Sequence, residues 1–392
     1  MTTPATRYQA PRDISRLLKG IAGFGAAIVV AGVFIAPHRT WPSVLIAGYY
    51  LLSLGLAGLF FIAVQYVGKG IWSTVFRRVP EAMTSVLVPV GALLLIALGL
   101  GAHTIYEWSH HAAVAQSRVL QAKSGWLSLP FFLGRSVLYL LIWIGFARAI
   151  VSNSRRQDED GSRERTAKNM RYSAIFLVAF ALTFSLATFD WVMSVQPHWY
   201  STIFGLYNFA GLFENGLATM SILVIVLRRS GPFRGIINDH HLHDLGKYVF
   251  AFSTFWAYLW FSQYMLIWYA NIPEEVTFFQ KQMSGGWRSL FLLNFGLNWL
   301  IPFLTLMTQA AKRSEGVMLK VCTVLMVGHW LDLYLMVIPS YGGATPPIGL
   351  WEVGPILGAV ALFFLLVSRA LGQANLLPVN DPTLDASLHH HL

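Results

Sequence analysis

The sequence predicts an all-α integral membrane protein of about ten transmembrane helices, built as two four-helix bundles with a flanking helix at either end. Three observations predict it. Hydrophobic residues make up 55% of the 392-residue chain and charged residues only 12%; a soluble domain carries about 25% charged residues and needs them to cover its surface. Apolar runs of roughly 20 residues recur along the whole length, bounded by charge, proline or glycine clusters. The aromatic share is 14%, with 14 Trp, which suits side chains placed at membrane interfaces and between helices.

Taken in order, the first five runs lie near residues 17–36, 43–67, 83–103, 127–149 and 171–195. The second five lie near 203–227, 246–269, 288–310, 317–338 and 351–371. The first run lacks a small-residue cleavage site and is followed by many like it, so it reads as a span rather than a secretory signal. An even number of spans puts both termini on one side. With the N-terminus taken as cytoplasmic, that side collects Arg12, Arg16 and Lys19, then Lys69, Arg77 and Arg78, the basic residues of 148–171, and those of 228–247 and 312–320. The count is 22 Lys and Arg against 5, with Arg135 left inside a span, a strong positive-inside signal. Basic loops facing anionic headgroups account for the net charge of +10, so lipid is the expected partner and nucleic acid is not.

The chain also resembles itself. Trp41, Ser43, Tyr49, Gly58 and Leu59 recur in one register as Trp199, Ser201, Tyr207, Gly216 and Leu217. Gly125, Trp126, Ser128 and Leu129 recur as Gly286, Trp287, Ser289 and Leu290, and Asp190, Val195 and Pro197 as Asp332, Val337 and Pro339. The matches keep their order, so spans two to five and six to nine read as a parallel repeat about an axis along the membrane normal. The expected organisation is a segment 1–42 with flanking helix one, bundles over 43–197 and 198–339, and a segment 340–392 with flanking helix ten and a cytoplasmic tail. The polar stretch 152–168 reads as a mobile cytoplasmic loop.

Ionisable groups inside spans cost several kcal/mol and mark function unless a structural partner is found. Arg135, Asp190, Glu214, His329 and Asp332 lie within spans, and His103, Glu107 and Glu352 at span ends. Asp190 and Asp332 occupy repeat-equivalent positions; His329 and Asp332, three apart, share a helix face. Glu214 sits near mid-span with no evident cation nearby in sequence, where burial disfavours its charged form and reversible protonation becomes accessible. Glu214, His329, Asp332 and Asp190 are therefore the proton-transfer candidates, with no catalytic residue assigned. Arg135 and His103 are the quinone-proximal or ion-pair candidates, and the structural counter-reading pairs Arg135 with Asp190. Thr183, Ser185 and Thr188 offer a water path or plain helix–helix bonding. The run Asp239 to Asp244, with His240, His241 and His243, is expected as a solvated or proton-collecting loop rather than a metal site, and His389–His391 receive no role.

Absences narrow the chemistry. The single Cys322 cannot ligate an iron–sulfur cluster, no Cys-x-x-Cys-His motif occurs for haem c, and there is no Walker A or dinucleotide fingerprint. Only His103 and His329 would serve for b-type haem. The expectation is that the chain binds no redox cofactor or metal itself.

Two strings are more specific. Phe189, Asp190, Trp191 and Ser194 lead into Pro197, His198, Trp199, Tyr200, Ser201, Thr202 and Gly205. Further on, His241, His243, Asp244 and Lys247 precede Trp260, Ser262, Gln263, Tyr264, Trp268, Asn271, Pro273, Glu274 and Glu275. With these the chain, from first span to tenth, resembles the second of the two NrfD-like, quinone-binding-type membrane subunits of alternative complex III, the bacterial quinol:cytochrome c oxidoreductase. The resemblance implies two four-helix bundles with flanking helices, a multi-pass place in the bacterial inner membrane, and menaquinol oxidation within the assembly. It implies as partners a sister NrfD-like subunit, a multihaem cytochrome c, an iron–sulfur/molybdopterin-type subunit and small membrane subunits, with the haem c and the clusters held by those partners. It admits a menaquinone contact on this chain and a role in carrying protons. Two readings from other classes stand beside it: a secondary transporter, which matched mid-membrane helix breaks would favour, and a purely structural anchor.

Overall fold

The computed structural model describes residues 7–391, which are 81% helical without strands. With no water in a bilayer core, backbone groups must bond within their own segment, and the helix does this alone. Eight helical segments are long and apolar enough to cross a membrane. They are α1 (Arg12–Ile35), α2 (Pro37–Val67), α3 (Thr74–Leu100), α4 (Leu129–Asp160), α5 (Arg163–Val195), α6 (Phe204–Arg229), α9 (Glu315–Tyr341) and α10 (Leu350–Leu371). The protein is thus an all-α, multi-pass membrane protein.

Between α6 and α9 lie two further segments. Helix α7 (Asp239–Ala270) is 32 residues long, yet its hydroxyl and aromatic residues, among them Ser253, Trp256, Tyr258, Trp260, Ser262 and Tyr264, lower its hydropathy. Segment α8 is interrupted: Trp287–Phe295 is α-helical, Gly296–Leu300 forms a π-turn, and Ile301–Thr305 resumes the helix. Such π-turns concentrate at functional sites.

Packing arranges the segments in two closed rings. In one, α2 touches α3 and α5, and α4 touches α3 and α5; in the other, α6 touches α7 and α9, and the π-turn of α8 touches α7 and α9. Helices α2 and α6 meet between the rings, so closely that a Cβ on Gly216 would collide with that of Ala57. These two helices are the most enclosed of the eight. Helices α1 and α10 pair with each other outside the rings, α10 leaning on α2. Their contact is set by small residues, since a Cβ on Gly25 would come within 2.5 Å of the Gly358 Cα. Close backbone approach of this kind drives helix association where lipid supplies no hydrophobic force.

Two expectations are corrected. The stretch 152–168 is not a mobile loop: α4 runs to Asp160, ends on Gly161 in the left-handed region at φ 62°, and α5 begins at Arg163. It holds its shape because Arg78 binds Glu81 at 2.5 Å and Asp158 at 2.6 Å, while Ser154 donates to Glu81 at 2.6 Å. Nor is 239–244 a solvated loop. It is the first turn of α7, where Asn238 accepts from the His240 and His241 amides, and the His241 side chain is buried.

The C-terminal segment straps this same end of the molecule. Asp381 pairs with Arg77; burial disfavours the Asp381 charge, but the guanidinium together with hydrogen bonds from the Thr383 hydroxyl and amide outweighs it and holds the carboxyl below its usual range. Ser387 accepts from the Val75 amide at 3.0 Å, and its carbonyl meets His241 Nε2 at 3.0 Å. His390, given no role from sequence, lies 2.7 Å from Asp244.

The small-residue contact between α1 and α10 is testable. Gly25→Val should destabilise the purified protein by about 1–3 kcal/mol, because backbone rather than a flexible side chain obstructs the new atoms. Gly20→Val, with nothing within 4 Å of its Cβ, should leave the melting temperature in detergent unchanged. Equal melting temperatures for the two variants would refute this packing.

Candidate functional site

The ionisable residues read from the spans fall into two centres of opposite character, one in each ring. In the first, Asp190 on α5 accepts from Arg135 Nε at 2.9 Å and Nη2 at 2.8 Å. Tyr139 donates to it at 2.9 Å and the Trp126 indole at 2.8 Å. Arg135 also donates to the Trp126 carbonyl, and its guanidinium lies 4.0 Å from the Trp126 ring and 4.4 Å from that of Phe131. Tyr139 lies four residues beyond Arg135, one turn along the same face of α4. This charge is paired, bidentate and fully bonded, which is what a buried ion pair needs to be tolerated. The structural reading of Arg135 with Asp190 is the one the geometry carries.

In the second ring Asp332 on α9 has no cation among the described residues. It accepts from Tyr207 of α6 at 2.5 Å, Asn294 of α8 at 2.8 Å and the Trp256 indole of α7 at 3.1 Å. Three neutral donors from three helices thus hold one carboxyl. Asn298, in the π-turn, donates to Asn294 at 2.7 Å, so the irregular backbone of α8 carries the support behind Asp332. The π-turn also brings Asn298 against α9, where a Cβ on Gly328 would sit 2.6 Å from the Asn298 side-chain oxygen.

One turn before Asp332, His329 is buried, its ring 5.5 Å from that of Tyr50. Gly211 on α6 makes room for it: a Cβ there would stand 3.0 Å from the imidazole. Glu214 is buried on the same helix, three residues along, within electrostatic reach of Asp332. Among the described residues no protein group hydrogen-bonds either Glu214 oxygen or either His329 nitrogen. Asn215 and Thr219 on α6 and Ser253 on α7 also keep buried side-chain atoms free. Each such atom costs about 1–3 kcal/mol, and packing alone would select apolar residues in these positions. The donors and acceptors of this region retain hydrogen-bonding capacity that no described protein group uses.

The remaining candidates lie elsewhere. His103 is exposed and meets Ser109 at 3.2 Å; Glu107 is half-exposed, 3.7 Å from His198. Glu352 is buried and held by Arg39 through two contacts of 2.8 Å, tying α10 to α2. Thr183, Ser185 and Thr188 bond back to carbonyls of their own helix, and Thr183 also accepts from the Trp143 indole at 2.9 Å. Among the described residues no group of His, Cys, Asp and Glu is arranged to hold a metal ion. Sequence reasoning missed Tyr207, Trp256, Asn294, Asn298 and Gly211. Only Tyr207 carried a signal, as the repeat partner of Tyr49.

Comparison with known protein families finds no family model that matches the chain, and no curated protein matches it.

The contrast between the centres gives a stability test. Asp190→Asn leaves the Arg135 charge buried without its partner and should cost about 3–5 kcal/mol. Asp332→Asn keeps size and part of the hydrogen bonding among neutral partners and should cost only about 1–2 kcal/mol. Thermal unfolding in detergent decides; an Asp332 variant as damaged as the Asp190 variant would contradict the assignment.

Proposed function

We propose that this chain is a membrane subunit of a quinol:electron-acceptor oxidoreductase of the alternative complex III type, and that its second bundle holds a transmembrane proton route through Glu214, His329 and Asp332. The observation that carries the route is a cluster of buried ionisable groups that, among the described residues, lacks a cation and a full set of hydrogen bonds. Membrane interiors keep such groups where protons or ions move.

The family part of the proposal rests on the two strings around Asp190–Gly205 and His241–Glu275, and residues from both line the two centres or their rims. Asp190 anchors the first; Trp199 stacks on Phe278 at 4.0 Å beyond α7, and Trp260 stacks along Trp256, which binds Asp332. The reading counts α7 and α8 as spans, giving ten, with both termini cytoplasmic in a bacterial inner membrane. The matching neighbour order of the two rings supports the parallel repeat. Electrons pass through partner subunits carrying haem c and iron–sulfur clusters; this chain supplies scaffold, a surface for menaquinone and a path for protons. Coupling then acts through conformational or electrostatic change in adjoining subunits.

Transport is the weaker reading. Inverted or parallel repeats in transporters break matched helices at mid-membrane, whereas here α8 is interrupted and its repeat partner α4 runs unbroken for 32 residues. A pure anchor accounts for Asp190 with Arg135 but not for the unpaired groups near Glu214.

Two measurements test the proposal. A mild-detergent pulldown of the tagged chain should bring down a haem-staining multihaem subunit; a chain recovered alone from cells expressing it natively would remove the family reading. In the assembled complex, Glu214→Gln should preserve quinol oxidation while lowering the protons released per electron or slowing turnover several-fold. If Glu214→Gln and Asp332→Asn both leave stoichiometry and turnover unchanged, the route is wrong and the anchor reading replaces it.

A further inference from the structure

The basic end of the α1–α10 pair carries a groove of about 640 Å³ that belongs to neither centre. It lies between the start of α1 and the end of α10. Lys19 and Arg369 line it, with the hydroxyl-bearing Ser15 and Ser368 and the carboxamide-bearing Gln373. Leu18, Leu365 and Leu366 form its apolar part. Among the described residues no carboxylate lines the groove. Among them, too, neither Lys19 nor Arg369 makes an ion pair, whereas Arg77, Arg78, Arg228 and Lys247 each hold an aspartate or a glutamate.

We propose that this groove binds the headgroup phosphate of one anionic glycerophospholipid from the leaflet at the basic end. The pairing of parts fits that ligand. Two uncompensated cations from facing helices match a phosphodiester with net negative charge, the hydroxyls and the carboxamide supply hydrogen bonds to its oxygens, and the leucines meet the first methylenes of the acyl chains. Basic pockets between transmembrane helices at the cytoplasmic interface select anionic headgroups in this way. A zwitterionic headgroup would bring its own ammonium to a site that already holds two positive charges.

Because α1 and α10 also pack by the close approach of Gly25 and Gly358, a lipid seated between their ends would clamp the flanking pair. Specific retention is therefore expected from the full chain, not only from its basic loops.

The test counts lipids by native mass spectrometry on the full chain, extracted from nanodiscs of phosphatidylglycerol, of phosphatidylcholine, or of a mixture. Wild-type protein should keep one phosphatidylglycerol in preference to phosphatidylcholine. Lys19→Gln with Arg369→Gln should weaken that retention roughly thirty-fold, on about a fifth of the affinity surviving each lost charge. Arg12→Gln with Arg16→Gln changes net charge equally outside the groove and should leave retention unchanged. Inorganic phosphate at millimolar concentration separates a lipid site from a free-anion site, and should not displace the lipid. Equal loss in both double variants, equal retention of phosphatidylcholine, or displacement by phosphate would each overturn the proposal.

Discussion

A carboxyl group inside a membrane protein has to be paired with a cation or be able to exist uncharged, because the low-dielectric surroundings do not support an isolated charge. The two rings of this protein answer that constraint differently. Asp190 receives a bidentate guanidinium, a tyrosine and an indole. Asp332 receives a tyrosine, an indole and an amide, and among the described residues no cation. One ring thus holds a paired, fully bonded centre and the other a carboxyl held by neutral donors alone. The geometry of α8 follows from the second choice, since its π-turn places Asn298 behind Asn294 and so behind Asp332.

The rest of the molecule keeps these centres in place. The close approach of Ala57 and Gly216 locks α2 against α6, and Tyr50 of α2 lies with its ring 5.5 Å from that of His329 on α9. Tyr50 donates to Asn215 at 3.2 Å and to the Met326 carbonyl at 3.1 Å, bonding the first ring to both principal helices of the second. At the basic end, the C-terminal strap joins Arg77 of the first ring to His241 and Asp244 of the second. Motion of one ring relative to the other would therefore be felt at the unpaired centre, where a small displacement changes which groups lie within hydrogen-bonding distance.

Much of this was legible in the sequence, for a physical reason: the bilayer imposes a length and a polarity on each span, and charge inside a span is rare enough to stand out. Hydropathy located the long apolar helices, and Arg135, Asp190, Glu214, His329 and Asp332 were identifiable because each is costly where it stands. What charge could not reveal was the neutral shell. Tyr207, Trp256 and Asn294 are ordinary residues of membrane helices, and only the convergence of three helices makes them partners of one carboxyl. Polarity misled at 152–168 and 239–244, where Asp158, His241 and Asp244 meet Arg78, Ser387 and His390 from other segments rather than water. The strap was invisible because its contacts, such as Ser387 with the Val75 amide, are made across more than 300 residues of sequence.

The central claim is that Glu214 gains and loses a proton as the assembly turns over. Redox-difference infrared spectroscopy of the assembled complex observes this directly through the carbonyl stretch of a protonated carboxyl. The account expects a carboxyl band that changes when the complex is reduced by quinol, disappears in Glu214→Gln, and persists at normal intensity in a variant of the exposed Glu107. A difference spectrum identical in wild type and Glu214→Gln would contradict it.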